Sequence, residues 1–444
     1  MSTVYVVHAI DTEGPLYEPL SATFERIEYI SGHNIDPTRQ NLEKLRKGEI
    51  NLDGDEDLVA TIVSPNLLDY NDSWEKIEIM LQDMMSESYR LEVPDSFGSG
   101  WVYNWYCTDH IGYSINPRCR DIGYHNIFDR YLEYRETYSS PQDGMYLHYH
   151  PMPPSRQAHH NANTWLGGLS DSLFQVLARR IIDKSWFPCS NRPGFHVTRP
   201  DSHWFLEQYI PFDYANQACD EETVQADLAD GRFGDWRRAP KSWHPYHPHH
   251  DDYQTLGDCR RWIFRVLNLG TRMRTLTQDD TDQAFAEAAE GSDVVLSFAN
   301  HDFRDMRPDV SVCREMLMKA QSKYPDVKFK YSDARDAARA VLKLEPVDHL
   351  KLSIAAQGDK LVIESDRPTF GPQPFLAIRT VAGEYIHQNL DFDQPFRKWS
   401  YVLDEQTLPM QVVDKVGVAS CDETGNVTVT QWRRETGETE SKHW

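Results

Sequence analysis

The run Val4–Pro15, VYVVHAIDTEGP, constrains the fold of this chain more than any other stretch. Every residue from Val4 to Ile10 except His8 is apolar, and several are β-branched, the composition of a strand covered on both faces as in parallel sheets and barrels. The run stops abruptly at two carboxylates, Asp11 and Glu13, before a Gly14-Pro15 turn. If the chain stays extended through Thr12, both carboxylates lie on one side. Catalytic groups collect at the C-terminal ends of barrel strands, so this strand end is the first candidate site. Acidic residues also act as turn formers after strands, and only the rest of the chain separates the two readings.

Strand and helix signals alternate as far as residue 342. Gly100–Asp109 (GWVYNWYCTD) reads as an aromatic strand ending at Asp109-His110, and Gly144–Pro151 (GMYLHYHP) as one ending on His148 and His150. Further strands are expected over Val59–Val63, after Arg192-Pro193-Gly194, and over Phe212–Gln217, Arg261–Leu269, Val294–Phe298 and Lys328–Tyr331. Helical spacing and end signals place helices over Pro37–Gly48, Trp74–Met85, Ile127–Glu136, Asp171–Asp183, His203–Tyr209, Val310–Lys323 and Ala334–Leu342. Asn51–Asp57 (NLDGDED) begins like a calcium loop but lacks its terminal glutamate and reads as a solvated turn. Asp230–Asp258, which contains WHPYHPHHDDY, is a long irregular excursion of the kind that covers a site. Beyond Pro346 short alternating strands separated by turn signals predict a small all-β module, most simply a sandwich, with a frayed polar tail from Thr436. The expected organisation is an α/β parallel sheet or barrel over 1–342 and a β-sandwich domain over 348–440.

A net charge of −23 argues against duplex nucleic acid or an anionic membrane as the main partner, since both need a basic footprint. Seven cysteines without a C-x-x-C pair read as reduced thiols, and neither an export signal nor a membrane-spanning run is visible, so a cytoplasmic location is expected. The strand ends carry Asp11 and Glu13, His148 and His150, and His301. One carboxylate with two histidines suits a single divalent ion, zinc or another first-row metal, and a second carboxylate beside it can act as general base. The i, i+2 spacing of His148 and His150 presents both imidazoles on one strand face. Asp109 and His110 end a barrel strand and are candidates for lining the substrate pocket or for structural hydrogen bonding. His244, His247, His249 and His250 form an alternative metal cluster but read better as a surface loop, and His159-His160 as solvent-exposed. Arg260, Arg261 and Arg265 could bind a phosphate or uronate, or simply pair with acids.

These residues resemble the motifs of the polysaccharide deacetylase (NodB-like) superfamily, metal-dependent amide and ester hydrolases on an irregular (β/α) barrel. Asp11-Thr12-Glu13-Gly14-Pro15 is similar to its opening motif, His148-Tyr149-His150-Pro151 to its histidine pair, Arg192-Pro193-Gly194 to its third motif, Asp235-Trp236 to its fourth, and Ser297-Phe298-Ala299-Asn300-His301 to its fifth. A closer likeness, in DSFGSGWVYNWYCTDH and RDIGYHNIFDRY, is to deacetylase-like proteins of bacterial surface-polysaccharide biosynthesis. The resemblance implies Asp11 as catalytic base, Glu13, His148 and His150 as metal ligands, Arg192 as the residue that orients the base, and His301 as general acid. It also implies zinc as cofactor and a carbohydrate or nucleotide sugar as substrate, with homo-oligomerisation left open. Thr12 separates the two acids and the histidines stand two apart, where the family has adjacent acids and a four-residue histidine spacing. With that spacing the roles of Asp11 and Glu13 are interchangeable, and the alternative is a non-catalytic carbohydrate-binding or assembly protein.

Overall fold

The computed structural model describes residues 2–153, 164–166, 171–219, 234–271 and 274–444. Its first strand, β1 (Thr3–Thr12), is buried along almost its whole length. It is followed by β2 (Tyr103–Cys107), β3 (Gly144–Tyr149), β4 (Ser190–Pro193), β5 (Phe212–Asn216), the hairpin of β6 (Pro248–His249) and β7 (Asp252–Leu256), then β8 (Trp262–Arg265), β9 (Leu267–Asn268), β10 (Val294–His301) and β11 (Lys328–Tyr331). The hydrogen-bonded order is β8-β5-β4-β3-β2-β1-β10-β9, with β11 beside the first residues of β1. Every pairing in this sheet is parallel. Because β8 and β9 are separated by Val266 alone, the two ends of that order meet again and the sheet is a nearly closed barrel.

The register brings the chemistry to one rim. Asp11 pairs with His301 across β1 and β10, and His148 with Arg192 across β3 and β4. His8, in the middle of β1, stays neutral. Burial pushes its pKa down to about 3, Trp101 Nε1 donates to its Nδ1 at 3.0 Å, and its Nε2 meets Asn300 Oδ1 at 2.9 Å.

Outer helices follow from their caps and spacing. Ser73 accepts from Lys76 N at the start of helix Trp74–Met84, which buries Ile77, Met80, Leu81 and Met84. Two expectations fail locally. Val59–Val63 is not a strand: Glu56–Ile62 is a helix, and its β-branched Val59 and Ile62 pack at i, i+3 spacing with Phe24, Ile27 and Leu45. The strand expected after Arg192 instead contains it, and Gly194–His196 is a tight turn with Phe195 and His196 at φ 51° and 55°. Among the described residues no helix is long and apolar enough to cross a membrane.

Residues 352–443 form two antiparallel sheets of four and five strands. The polar tail expected to fray supplies the edge strand Thr439–His443, paired with Val427–Arg433. Leu361, Ile363, Trp399, Val416 and Val418 lie in a separate core between the sheets, whereas Phe375, Ala377, Ala419, Cys421 and Val429 belong to the core of the barrel. This second set packs against helix Ser172–Lys184, and the fit is close. A Cβ on Gly417 would stand 2.5 Å from Ile181 Cγ2, and one on Gly371 would stand 1.5 Å from the Gln208 carbonyl oxygen. Gly371→Ala is therefore expected to destabilise the chain by about 1–3 kcal/mol through backbone displacement. Thermal denaturation checks this, and an unchanged midpoint would mean that the contact yields without strain.

Candidate metal centre

The site begins with the hydrogen bonds that aim its histidines. The Arg192 carbonyl oxygen lies 2.7 Å from His148 Nδ1, so Nδ1 carries the proton and Nε2 turns its lone pair inward. Burial holds the His148 pKa well below the usual histidine range, which keeps that lone pair available. His148 Nε2 is 2.9 Å from His150 Nε2, and these nitrogens are 4.0 and 3.4 Å respectively from Glu13 Oε1. A tetrahedral ion with bonds of about 2.0–2.1 Å separates its ligand atoms by about 3.4 Å, and the three observed separations bracket that value. Glu13, His148 and His150 thus form a possible metal-binding triad, and among the described residues it is the one such group.

Glu13 is held from several sides. Its Oε2 is ion-paired with Arg120 Nη1, and its carbonyl oxygen is 2.8 Å from His110 Nε2. Its backbone N–H donates to Asp302 Oδ1 at 2.8 Å, Gly14 N–H donates to Asp302 Oδ2 at 2.9 Å, and Tyr131 donates its hydroxyl proton to the same Oδ2 at 2.7 Å. Burial opposes ionisation of Glu13, but Arg120 and His150 outweigh it and hold the carboxyl well below the usual range. Burial pushes Asp302 up to about 7 against the three hydrogen bonds it accepts. No family model and no curated protein matches this chain.

Asp11 lies beside the triad. Arg192 Nε donates to Asp11 Oδ1 at 2.5 Å, while Arg192 Nη1 lies 3.1 Å from His196 Nδ1, so the guanidinium is fixed at both ends. His148 Nδ1 is 3.6 Å from Asp11 Oδ1, and His301 Nε2 is 3.6 Å from Asp11 Oδ2 and 3.9 Å from Glu13 Oε1. Burial pushes His301 down to about 3, so its ring is neutral in this state. The structure therefore gathers Asp11, Glu13, His148, His150, Arg192 and His301 at one rim. Asp11 is left outside the ligand triad and Glu13 inside it.

Asp109 and His110 are held by hydrogen bonds close to the triad. The carboxylate of Asp109 accepts from Arg180 Nη2 at 2.9 Å and from His125 N at 2.6 Å, while His110 spans Glu13 O and Tyr113 Oη. Both side chains are buried. The loop histidines remain a surface feature: His250 pairs with Asp251, and His247 packs on the Trp262 ring. The arginines after the excursion are paired with acids, Arg260 with Glu207, Arg261 with Asp213 and Arg265 with Asp280. His159 and His160 lie outside the described residues.

Arg120, Tyr131 and Asp302 are site residues to which the sequence assigns no role, although Arg120 and Tyr131 begin and end the stretch RDIGYHNIFDRY. Arg120 stands in an irregular connection and Tyr131 on helix Asn126–Thr137, neither at a strand end, so periodicity carries no signal for them. Asp302→Asn keeps the shape but replaces one acceptor with a donor opposite backbone N–H groups or Tyr131. It is expected to weaken metal binding by about ten- to a hundredfold, measured by competition with a chromogenic chelator. Unaltered affinity would show that the Glu13-Gly14 turn holds itself.

Proposed function

We propose that the protein is a metal-dependent hydrolase that removes an acyl group, most often acetyl, from an amino sugar or sugar intermediate of surface-polysaccharide metabolism. The observation that carries this reading is the convergence of Glu13, His148 and His150 on one point with the Asp11–Arg192 pair against them. Support also comes from the likeness of these motifs to the polysaccharide deacetylases, in which the corresponding residues have these roles. A divalent ion, by that likeness zinc, would be held by Glu13, His148 and His150, and supplies carbonyl polarisation and a more acidic water.

The chain's own residues do the rest. Arg192 holds and aims the carboxylate of Asp11, so that Asp11 takes the proton of the attacking water. His301, neutral and 3.6 Å from the second oxygen of Asp11, is placed to receive that proton and hand it to the leaving amine. Acetate release from a panel of N-acetylated sugars and nucleotide sugars, with zinc added or removed by chelator, tests the proposal. Chelator-sensitive release of acetate is the expected result. Sugar binding without release from any panel member would favour the carbohydrate-binding alternative.

A further inference from the structure

The rim beside the metal centre is positive in a chain whose net charge is −23. Four guanidiniums gather there, those of Arg26, Arg118, Arg120 and Arg304. Arg118 lies within electrostatic reach of Arg26 and Arg120, and Arg304 within reach of Arg26 and Glu13. Among the described residues their close carboxylate partners are two. Glu18 serves Arg26 at 2.8 Å and Arg118 at 3.9 Å, and Glu13 serves Arg120 with the oxygen that the histidines do not face.

Arg304 is the exception in this cluster. It is 8% exposed, yet among the described residues its guanidinium has no ion-pair or hydrogen-bond partner. Its neighbour is the ring of Phe303, whose centroid is 5.2 Å from the Arg304 guanidinium and 5.8 Å from that of Arg120. The same ring packs on His301, with centroids 4.6 Å apart, which ties it to the reacting centre. A cation–π contact stabilises the charge but satisfies none of the five N–H donors. Asp309, the nearby acid, lies beyond ion-pair distance and accepts from Asn300 Nδ2 at 3.0 Å. The unpartnered Arg304 nitrogens keep a narrow contact with solvent, so the charge faces an opening where an incoming anion can meet it and supply the counter-charge that the protein does not.

We propose that Arg304, with Arg120 on the same Phe303 ring, forms an anion subsite beside the metal centre that binds a carboxylate or phosphate carried by the acylated sugar. The identification of that sugar as a substrate rests on the hydrolase reading above. A guanidinium fork matches either group with paired N–H donors, so the shared chemistry is an oxyanion on the sugar.

Calorimetry on the zinc-loaded full chain, with N-acetylglucosamine, N-acetylglucosamine 1-phosphate and N-acetylglucosaminuronic acid, tests the subsite. At least one acidic sugar is expected to bind about tenfold or more tighter than the neutral one, and which of the two does so distinguishes phosphate from carboxylate. Arg304→Gln is expected to abolish the preference and Arg304→Lys to retain part of it, both with unchanged zinc stoichiometry. Equal affinity of neutral and acidic sugars in the wild type, absence of binding included, overturns the proposal, as does a preference that survives Arg304→Gln. Acetate release measured on the same samples keeps the two readings apart. Acidic preference without release rejects the hydrolase and leaves the subsite, and release without preference does the reverse.

Discussion

Replacing His148 and His150 together with alanine is expected to take the bound zinc from about one ion per chain to near zero after dialysis, by elemental analysis. The double change removes two of the three protein ligands and leaves one carboxylate already paired with Arg120. A lone carboxylate keeps no first-row ion against dialysis, since a site of this kind draws its affinity from several ligands acting together. Both histidines sit at the barrel rim rather than in the apolar core, so the variant is expected to retain its far-ultraviolet circular dichroism. Unchanged stoichiometry in a folded variant would move the metal elsewhere, with the His244–His250 loop as the next place to examine.

Asp11→Asn and His301→Ala are each expected to lower turnover of an acylated amino sugar by roughly two to four orders of magnitude, while affinity changes by less than about tenfold. The asparagine keeps the bulk of Asp11 beside Arg192 but cannot take a proton, and it leaves the guanidinium without its buried anionic partner. The alanine removes a ring that stands 3.6 Å from Asp11 Oδ2 and 3.9 Å from Glu13 Oε1. Neither residue belongs to the triad, so zinc content serves as the control. Loss of metal in the His301 variant would show that this ring supports the ligands rather than the proton transfer. A drop in affinity equal to the drop in turnover would assign both residues to sugar binding instead.

The sequence by itself determined what local periodicity and covalent neighbours decide. The doubly buried strand ending at Asp11 and Glu13 could be read from an unbroken apolar run, and the facing of His148 and His150 from the two-residue period of a strand. Helix Trp74–Met84 was legible from its apolar spacing, and helix Ala334–Leu342 from its alanine-rich run. Only the tertiary structure decided which carboxylate faces the histidines. That depends on Arg192 and Arg120, which pair with Asp11 and with the second oxygen of Glu13. It also gave Asp109 its buried partner, Arg180 on a distant helix, which no nearby residue announces. The same holds for Val59–Val63, where β-branched residues that favour strands are overruled by the apolar surface of Phe24, Ile27 and Leu45. Contacts between residues far apart in the chain are set by the closure of the barrel, and their energies enter only once that closure has brought the partners together.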